Sequence, residues 1–317
     1  MRIIFIGSAD FACASLKRLV SSGIAEVVTV ITQPDRPSGR GLGVSSCPLK
    51  QCATNLHIPV LTPEKVKAAD SIETMRALKP DLLVVVAYGQ ILSPAVLALP
   101  SLGCVNIHGS LLPKYRGAAP IQWAIASGEQ VTGVTAMYMN EQMDAGDIIL
   151  QREMIIASDD TAGSLHDKLA EQGADVLIEA MKTIQDGTAI RIPQAESEAT
   201  CAPKLSKKDG RIDWTKPAVE IYNRIRGFNP WPGSFCEVAG GSGDESRGGL
   251  LLKILKAAVE DGHGNPGEVL SIDGTGPLVA TGEEALRLIE VQPEGRKAMS
   301  GSAFLHGHGL KKGALVR

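Results

Sequence analysis

The sequence predicts a doubly wound α/β domain on a mostly parallel sheet, followed by a smaller antiparallel β-barrel domain. In the first half, apolar strand-like runs alternate with amphipathic helical patterns, which is typical of a parallel sheet covered by helices on both faces. After Gly187, short strand-like runs separated by Gly-rich turns replace that alternation. A length of 317 residues also suits two domains better than one. We therefore predict an α/β domain at residues 1–187, a linker at 188–205 and a barrel at 206–317.

The elements of both domains are predicted from the spacing of their apolar residues. Apolar, β-branched runs predict strands, and apolar residues on one face of a 3.6-residue period predict helices. In the first domain the predicted strands are 2–7, 26–32, 59–61, 81–87, 104–107 and 133–139, and the helices are 10–22, 49–55, 71–78 and 161–185. In the second domain we predict a helix at 218–228 and strands at 234–238, 250–255, 267–272, 278–281 and 285–291. We expect Trp214 and Trp231 to belong to the core.

The composition indicates a globular protein and excludes several classes of function. Hydrophobic residues make up 44% of the chain and charged residues 21%, which suffices for a core and excludes disorder as the main state. The formal net charge of −3 gives no support to a nucleic-acid or membrane partner at the level of the whole chain. No apolar run approaches the ~18 residues of a membrane helix, and the N-terminal run is too short for a signal peptide.

The six cysteines are scattered, without the spacing of a zinc site or a disulfide framework. We therefore expect reduced thiols in a cytoplasmic protein that binds no metal. His306 and His308 lie in a Gly-rich terminal segment that we expect to be mobile rather than metal-binding. Nucleotide-cofactor motifs are also missing: the turn after the first strand, GSADFA, lacks the second glycine of G-x-G-x-x-G, and there is no Walker A sequence. Nicotinamide nucleotides are thus disfavoured.

The most informative polar residues follow the predicted strand at 104–107. Asn106 and His108 are two residues apart, so their side chains share one face of the sheet at the carboxyl end of the strand, where doubly wound sheets bind ligands. Residues 110–113 are expected to form a tight loop whose backbone is free to bind a ligand. The strand at 133–139 leads into a second polar loop, and we expect it to end at the same sheet edge, with Asp144 or Asp147 against His108.

These residues resemble the folate-dependent formyltransferase family. The resemblance begins with NIHGSLLPKYRG from Asn106 to Gly117 and continues with DAGD from Asp144 to Asp147. It covers essentially the whole chain, through RIIFIGSADFA, TQPDRPSGRG, VVAYGQILSP, AGDIILQ, APKLSKKDGRIDW and RGFNPWPGSF. The SLLP-to-Asp portion is shared by all relatives, whereas the linker and the NPWPG stretch are typical of the members that act on tRNA.

The resemblance implies a Rossmann-like catalytic domain, an OB-like tRNA-binding barrel, and a reaction. A formyl group moves from 10-formyltetrahydrofolate to the methionine amino group of initiator methionyl-tRNA, for translation initiation, without a metal. The implied catalytic residues are Asn106, His108 and Asp144. An amide and an imidazole suit this chemistry because they donate to the oxyanion that develops on the formyl group, and a carboxylate beside the imidazole holds its tautomer and relays protons. The implied folate contacts are Ser110, Leu111, Leu112 and Pro113.

The resemblance also implies contacts with RNA. Arg40 lies in a Gly/Pro/Ser loop that the family uses to grip the acceptor end of tRNA, and Lys207, Lys208 and Arg211 form a basic stripe that suits phosphates. Asp147 is expected to be structural, and Arg116 either anchors the loop before it or contacts a substrate phosphate. We expect a monomer.

Two alternatives remain at this point. One is another enzyme that uses the same formyl donor, namely a glycinamide-ribonucleotide or sugar-nucleotide formyltransferase or a 10-formyltetrahydrofolate hydrolase. The other is a folate- or RNA-binding protein without turnover, which the polar trio disfavours because binding alone does not require it. Formyl release from 10-formyltetrahydrofolate, with and without charged tRNA, distinguishes them.

Overall fold

The computed structural model describes residues 1–38, 43–238, 249–308 and 310–317, which form two compact units. Two short segments of the first half, 121–130 and 156–164, cluster with the second unit, an arrangement that the sequence did not predict. Unit 1 consists of Met1–Pro120, Val131–Ile155 and Leu165–Pro203, and unit 2 consists of Ile121–Gln130, Ile156–Ser164 and Lys204–Arg317.

The described strands of unit 1 are β1 (Arg2–Gly7), β2 (Glu26–Ile31), β3 (Arg36–Ser38), β4 (Gly43–Ser45), β5 (Val60–Leu61), β6 (Leu82–Val86), β7 (Cys104–His108), β8 (Arg116–Gly117), β9 (Val131–Tyr138), β10 (Ile148–Ile155) and β11 (Cys201–Ala202). Six of them coincide with predicted strands (β1, β2, β5, β6, β7 and β9), whereas β3, β4, β8, β10 and β11 were not predicted. Seven of these strands form one sheet in the order β10-β9-β7-β6-β1-β2-β5. β5, β2, β1, β6 and β7 are parallel, whereas β9 is antiparallel to both of its neighbours. The predicted doubly wound, mostly parallel sheet is confirmed.

The helices of the first half are α1 (Phe11–Ser22), α2 (Pro48–Asn55), α3 (Ala69–Ala77), α4 (Pro94–Leu97), α5 (Pro120–Ala126) and α6 (Ala162–Gln185). α1 begins where the Asp10 carboxylate accepts the Phe11 N–H and ends at Gly23, whose φ of 64° is left-handed. α6 packs on β7 and β9 through Gly173, because a Cβ there would lie 3.1 Å from Ile107 and 3.6 Å from Val134.

The described residues of the second half form an antiparallel barrel accompanied by two helices. Its elements are α7 (Ala218–Gly227), β12 (Ser234–Val238), β13 (Leu250–Glu260), β14 (Val269–Ser271), β15 (Leu278–Ala280), β16 (Ala285–Pro293), β17 (Met299–Ser300) and α8 (Gly301–His308). The sheet order is β12-β13-β16-β15-β14, with β17 on β16. The final residues close the barrel, since Val316 pairs with Val238 beside β12 and Leu315 pairs with Glu268 beside β14. The predicted barrel is confirmed.

Two expectations for unit 2 were wrong. The segment around His306, which was expected to be mobile, forms the helix α8, because Phe304 is fully buried in the barrel core and fixes it there. Trp231 is 48% exposed, whereas Trp214 lies in the core as expected. Phe228, three positions before Trp231, is fully buried and its ring packs edge-on against Trp123. Within the described residues, none of the helices has both the length and the apolar character needed to span a membrane.

Candidate active site

β7 presents Asn106 and His108 on the face of the sheet opposite to α6. Ile107, between them, points toward Gly173 of α6, so strand alternation directs its two neighbours to the other face. His108 is buried, and Asn106 is half-buried. The structure therefore places both side chains on one face of the sheet at the carboxyl end of β7, as the sequence predicted.

The expected direction of β9 was wrong. Because β9 is antiparallel to β7, Thr135 lies opposite His108 and Tyr138 lies opposite Val105, so β9 ends at the amino end of β7. The loop that follows nevertheless reaches the site, and Asp144 Oδ2 lies 3.8 Å from His108 Nδ1. This separation is within ion-pair range but too long for a direct hydrogen bond.

The imidazole of His108 has one defined tautomer when it is neutral. Its Nε2 lies 2.9 Å from the carbonyl oxygen of Tyr115, which only accepts hydrogen bonds, so Nε2 carries the proton. Nδ1 is then the ring nitrogen with a lone pair, and it is the one that faces Asp144. The expected donation from neutral His108 to an oxyanion was therefore wrong, because its one N–H is bonded to Tyr115, and only Nδ1 is left to exchange a proton with a substrate.

Asn106 has an unusual hydrogen-bonding balance for a half-buried amide. Its Nδ2 donates to the carbonyl of Val85 on β6 at 3.1 Å. Its Oδ1 is buried and has no hydrogen-bond partner within the described residues. A buried acceptor of this kind is satisfied by an ordered water or by a ligand.

Asp144 is held by backbone rather than by other charged side chains. Its Oδ2 accepts the backbone N–H of Gly117 at 2.8 Å, and its own φ is 52°. Asp147 is directed elsewhere: its carboxylate lies 3.7 Å from the Arg191 guanidinium, which stacks on the Tyr138 ring. The structure therefore brings Asp144, and not Asp147, to His108.

The loop at residues 110–113 is more tightly bonded than expected. Thr135 Oγ1 donates to the Ser110 carbonyl at 2.7 Å and accepts from the Leu112 N–H at 3.1 Å. Gln151 Nε2 donates to the Leu112 carbonyl at 2.8 Å and to Thr135 Oγ1 at 2.9 Å. The expectation of a loop backbone free for a ligand was wrong, because Thr135 and Gln151 already occupy much of it. The folate contacts assigned to Ser110, Leu111, Leu112 and Pro113 stay a prediction.

Sequence reasoning missed the residues that support this site. Thr135 looks like an ordinary strand-forming residue in the sequence, and only the structure shows the register that places it opposite His108. Arg116 is held by Gln194 and Glu196, which favours an anchoring role over a phosphate contact. The guanidinium donates to Glu196 and holds the pKa of that carboxyl below its usual value.

The residues assigned to RNA lie apart from the catalytic candidates in sequence. Lys207 and Lys208 are exposed in the 3₁₀ turn Lys207–Gly210 of unit 2. Arg211 is exposed too, but its guanidinium pairs with Glu237 at 3.2 Å, which offsets its charge. Arg40 lies outside the described residues.

Comparison with known proteins finds a formyl transferase domain in each half of the chain. The family model named formyl transferase matches residues 1–181, and the model named formyl transferase, C-terminal domain, matches residues 204–309. A methionyl-tRNA formyltransferase of Agathobacter rectalis is 45% identical over 316 residues, which is 99% of both chains. Another, of Desulfotalea psychrophila, is 47% identical over 307 residues, covering 97% of this chain and 93% of that protein.

Solved structures share the fold at low identity. HypX from Aquifex aeolicus, in complex with tetrahydrofolic acid, superposes with a TM-score of 0.61 at 19% identity, over 100% of this chain and 50% of that one. An N-formyltransferase from Helicobacter canadensis, in complex with folinic acid and dTDP-3-aminofucose, has a TM-score of 0.62 at 19% identity, over 90% and 98% of the two chains. Since both family models match in order along one chain, and the relatives are similar over nearly its full length, this chain belongs to the formyl transferase family.

Proposed function

We propose that the protein transfers the formyl group of 10-formyltetrahydrofolate to the methionine amino group of initiator methionyl-tRNA. The observation that carries the proposal is the Asp144 carboxylate facing His108 Nδ1 beside Asn106, in a chain that matches methionyl-tRNA formyltransferases almost from end to end. The reaction forms one C–N bond and breaks another. The amine attacks the formyl carbon, the formyl oxygen takes the electron pair, and the adduct expels the folate nitrogen, which gains the proton that the amine loses.

Asn106 is proposed to stabilise the oxyanion of that adduct. A carboxamide nitrogen carries two N–H donors, and the Val85 carbonyl takes only one of them. The second donor is left for the developing negative charge, where a fixed donor lowers the barrier because it needs no reorganisation. The buried, unpartnered Oδ1 is available to accept an N–H from the attacking amine.

His108 and Asp144 are proposed to move the proton. The lone pair on Nδ1 accepts it from the amine, since Nε2 is held by the Tyr115 carbonyl. Asp144 then faces the positive charge that forms on the ring and fixes the ring's orientation, as a carboxylate does beside a catalytic histidine. From Nδ1 the proton passes to the folate nitrogen, directly or through water.

The loop and the second unit are proposed to bind the two substrates. Ser110, Leu111, Leu112 and Pro113 would contact folate, with Thr135 and Gln151 fixing the loop rather than touching the ligand. Lys207, Lys208 and Arg211 would contact tRNA phosphates, and Arg40 the acceptor end. We also propose a cytoplasmic monomer, which the six unpaired cysteine thiols suit in a reducing compartment. Sedimentation tests the oligomeric state.

The experiment that tests the proposal follows the labelled formyl group of 10-formyltetrahydrofolate. Four reactions are compared: with initiator methionyl-tRNA, with elongator methionyl-tRNA, with a dTDP-amino sugar, and without an acceptor. We expect transfer to the initiator tRNA alone, or to it far faster than to the others. Equal release without an acceptor would indicate a hydrolase, and preference for the sugar would indicate a sugar formyltransferase; either result would overturn the proposal.

A further inference from the structure

Gln194 lies in the segment assigned to the linker, yet its side chain contacts the loop that carries Asp144. Its Nε2 donates to the carbonyl of Asp144 at 2.9 Å and to that of Gly146 at 2.8 Å. Its Oε1 accepts from Nε of Arg116 at 3.0 Å and from Nη2 at 2.8 Å. A guanidinium only donates and a carbonyl only accepts, so these partners fix the orientation of the amide.

The turn at Asp144 needs such support. A φ of 52° is left-handed, and aspartate adopts it more readily than most L-residues but still at a cost relative to the right-handed region, so contacts to this turn help to hold it. Gln194 bonds the carbonyls on both sides of Ala145, so it fixes the direction of the chain on leaving Asp144. That direction determines where the Asp144 carboxylate points.

Arg116 anchors Gln194 to the same short strand that contacts the carboxylate. β8 pairs with β11 through Arg116 and Cys201 and through Gly117 and Ala202. The Arg116 side chain is 13% exposed, and Nη1 and Nη2 also donate to Glu196, at 3.0 and 2.8 Å. Asp144 is therefore held twice from β8: at its carboxylate by the Gly117 N–H, and at its carbonyl by Gln194.

We propose that Gln194 is a positioning residue for catalysis, which sets the Asp144 carboxylate against His108 Nδ1. The inference rests on the proposed function, because it assigns the contact network to the same reaction. Positioning matters here since the carboxylate lies 3.8 Å from Nδ1, and a shift of about 1 Å in a reacting group costs up to about 10²-fold in rate.

The test uses Gln194→Met in the full chain, which keeps the length of the side chain and removes its hydrogen bonds to Arg116, Asp144 and Gly146. We expect kcat to fall by about 10- to 100-fold while KM for 10-formyltetrahydrofolate changes by less than about threefold. Gln142→Met is the matched control, because Gln142 is exposed in the same loop and should keep wild-type kcat. Wild-type kcat in Gln194→Met would overturn the proposal.

A double-mutant cycle separates positioning from a general structural effect. If Gln194 acts through Asp144, Gln194→Met should cost less than about threefold when it is added to Asp144→Asn, although it costs far more in the wild type. If Gln194→Met lowers kcat by the same factor in the wild type and in Asp144→Asn, Gln194 only supports the fold and the proposal is wrong.

A second variant covers the case in which Gln194→Met does not fold. Gln194→Glu keeps an acceptor for Arg116, so β8 stays anchored, but it turns an oxygen toward the carbonyls of Asp144 and Gly146. We expect an equally large loss of kcat with only a partial decrease in melting temperature, and wild-type kcat would overturn the inference. Failure of the proposed function looks different, because the wild-type protein itself would then transfer no formyl group to methionyl-tRNA.

Discussion

Gly117 donates its backbone N–H to the Asp144 carboxylate at 2.8 Å, and only glycine fits that position. Its φ is 126°, and a Cβ there would lie 2.6 Å from the carbonyl oxygen of Ala202 on the neighbouring strand β11. The short β8–β11 pair is thus part of the candidate active site, although neither strand carries a predicted catalytic residue.

Gly117→Ala should lower kcat by about 10- to 100-fold. The added methyl group must push β8 away from Ala202, and the N–H then no longer meets the Asp144 carboxylate. Steady-state kinetics with initiator methionyl-tRNA measures the effect. Gly23→Ala is the control, since Gly23 also has a positive φ, 64°, but nothing lies within 4 Å of its Cβ position. If Gly23→Ala lowers kcat as much as Gly117→Ala does, backbone strain alone explains the decrease and the proposed role of the Gly117 N–H is wrong.

Asp144→Asn should lower kcat by about 10²-fold or more while folate affinity is retained. The substitution keeps the size and an acceptor for the Gly117 N–H but removes the charge that faces His108 Nδ1. Asp147→Asn should have little effect on kcat, because Asp147 pairs with Arg191 instead. A severely impaired Asp147→Asn beside a near-normal Asp144→Asn would show that the wrong carboxylate has been chosen.

Thr135→Val should raise KM for 10-formyltetrahydrofolate by roughly tenfold, with a smaller effect on kcat. The hydroxyl is fully buried and bonds both the Ser110 carbonyl and the Leu112 N–H, so the isosteric valine leaves both groups without that partner. Folate titrations report the change. Thr132→Val provides the comparison, as Thr132 is also buried in β9 but lies on the other face from Thr135.

Buried strands could be predicted from the sequence because their apolar runs are continuous, but the direction of a strand could not. Strands such as β1 and β6 were predicted because burial on both faces demands continuous apolar runs. The direction of β9 was predicted wrongly, because side-chain alternation is the same for parallel and antiparallel strands. Asp144 was therefore expected beside His108 partly for a wrong reason, and the contact depends on how its loop folds back.

Support residues outside the periodic segments were beyond sequence reasoning. Gln194 lies where no apolar period exists, and one glutamine near Pro193 and Glu196 gives no sign that it contacts a loop 50 residues earlier. α5 was missed because seven residues are too few to establish a helical period. The long-range hydrogen bonds of Gln194 are determined by the tertiary fold and not by the local sequence pattern.

Glu260→Gln should destabilise unit 2 in a pH-dependent way. Arg287 donates to Glu260 and lowers the pKa of that carboxyl, so the pair contributes stability above the unfolded-state pKa and loses it as the pH falls through the folded-state pKa. Because Glu260 is 40% exposed, we expect a loss of only about 0.5–1 kcal/mol at pH 7. Denaturant unfolding at pH 7 and near pH 3 checks this, and an equal difference at both values would contradict it.

Neutralising Lys207, Lys208 and Arg211 together should weaken tRNA binding and reduce its salt dependence. Removing one phosphate interaction lowers the slope of log affinity against log salt by about 0.7–0.9. Lys207 and Lys208 are exposed, whereas Arg211 already pairs with Glu237, so we expect the two lysines to account for most of the change. The decrease in affinity should be similar for initiator and elongator tRNAs, because phosphate interactions carry no sequence information. Folate affinity should not change.

The measurement is tRNA affinity across a salt series for the wild type, the triple variant and a control. Lys311→Ala with Lys312→Ala is the control, since it removes two exposed positive charges from the same unit. A smaller slope in the triple variant alone would assign the tRNA interaction to the 3₁₀ turn Lys207–Gly210. Equal reductions in both would mean that long-range attraction to the whole barrel drives binding, and an unchanged slope in the triple variant would exclude these residues from tRNA binding altogether.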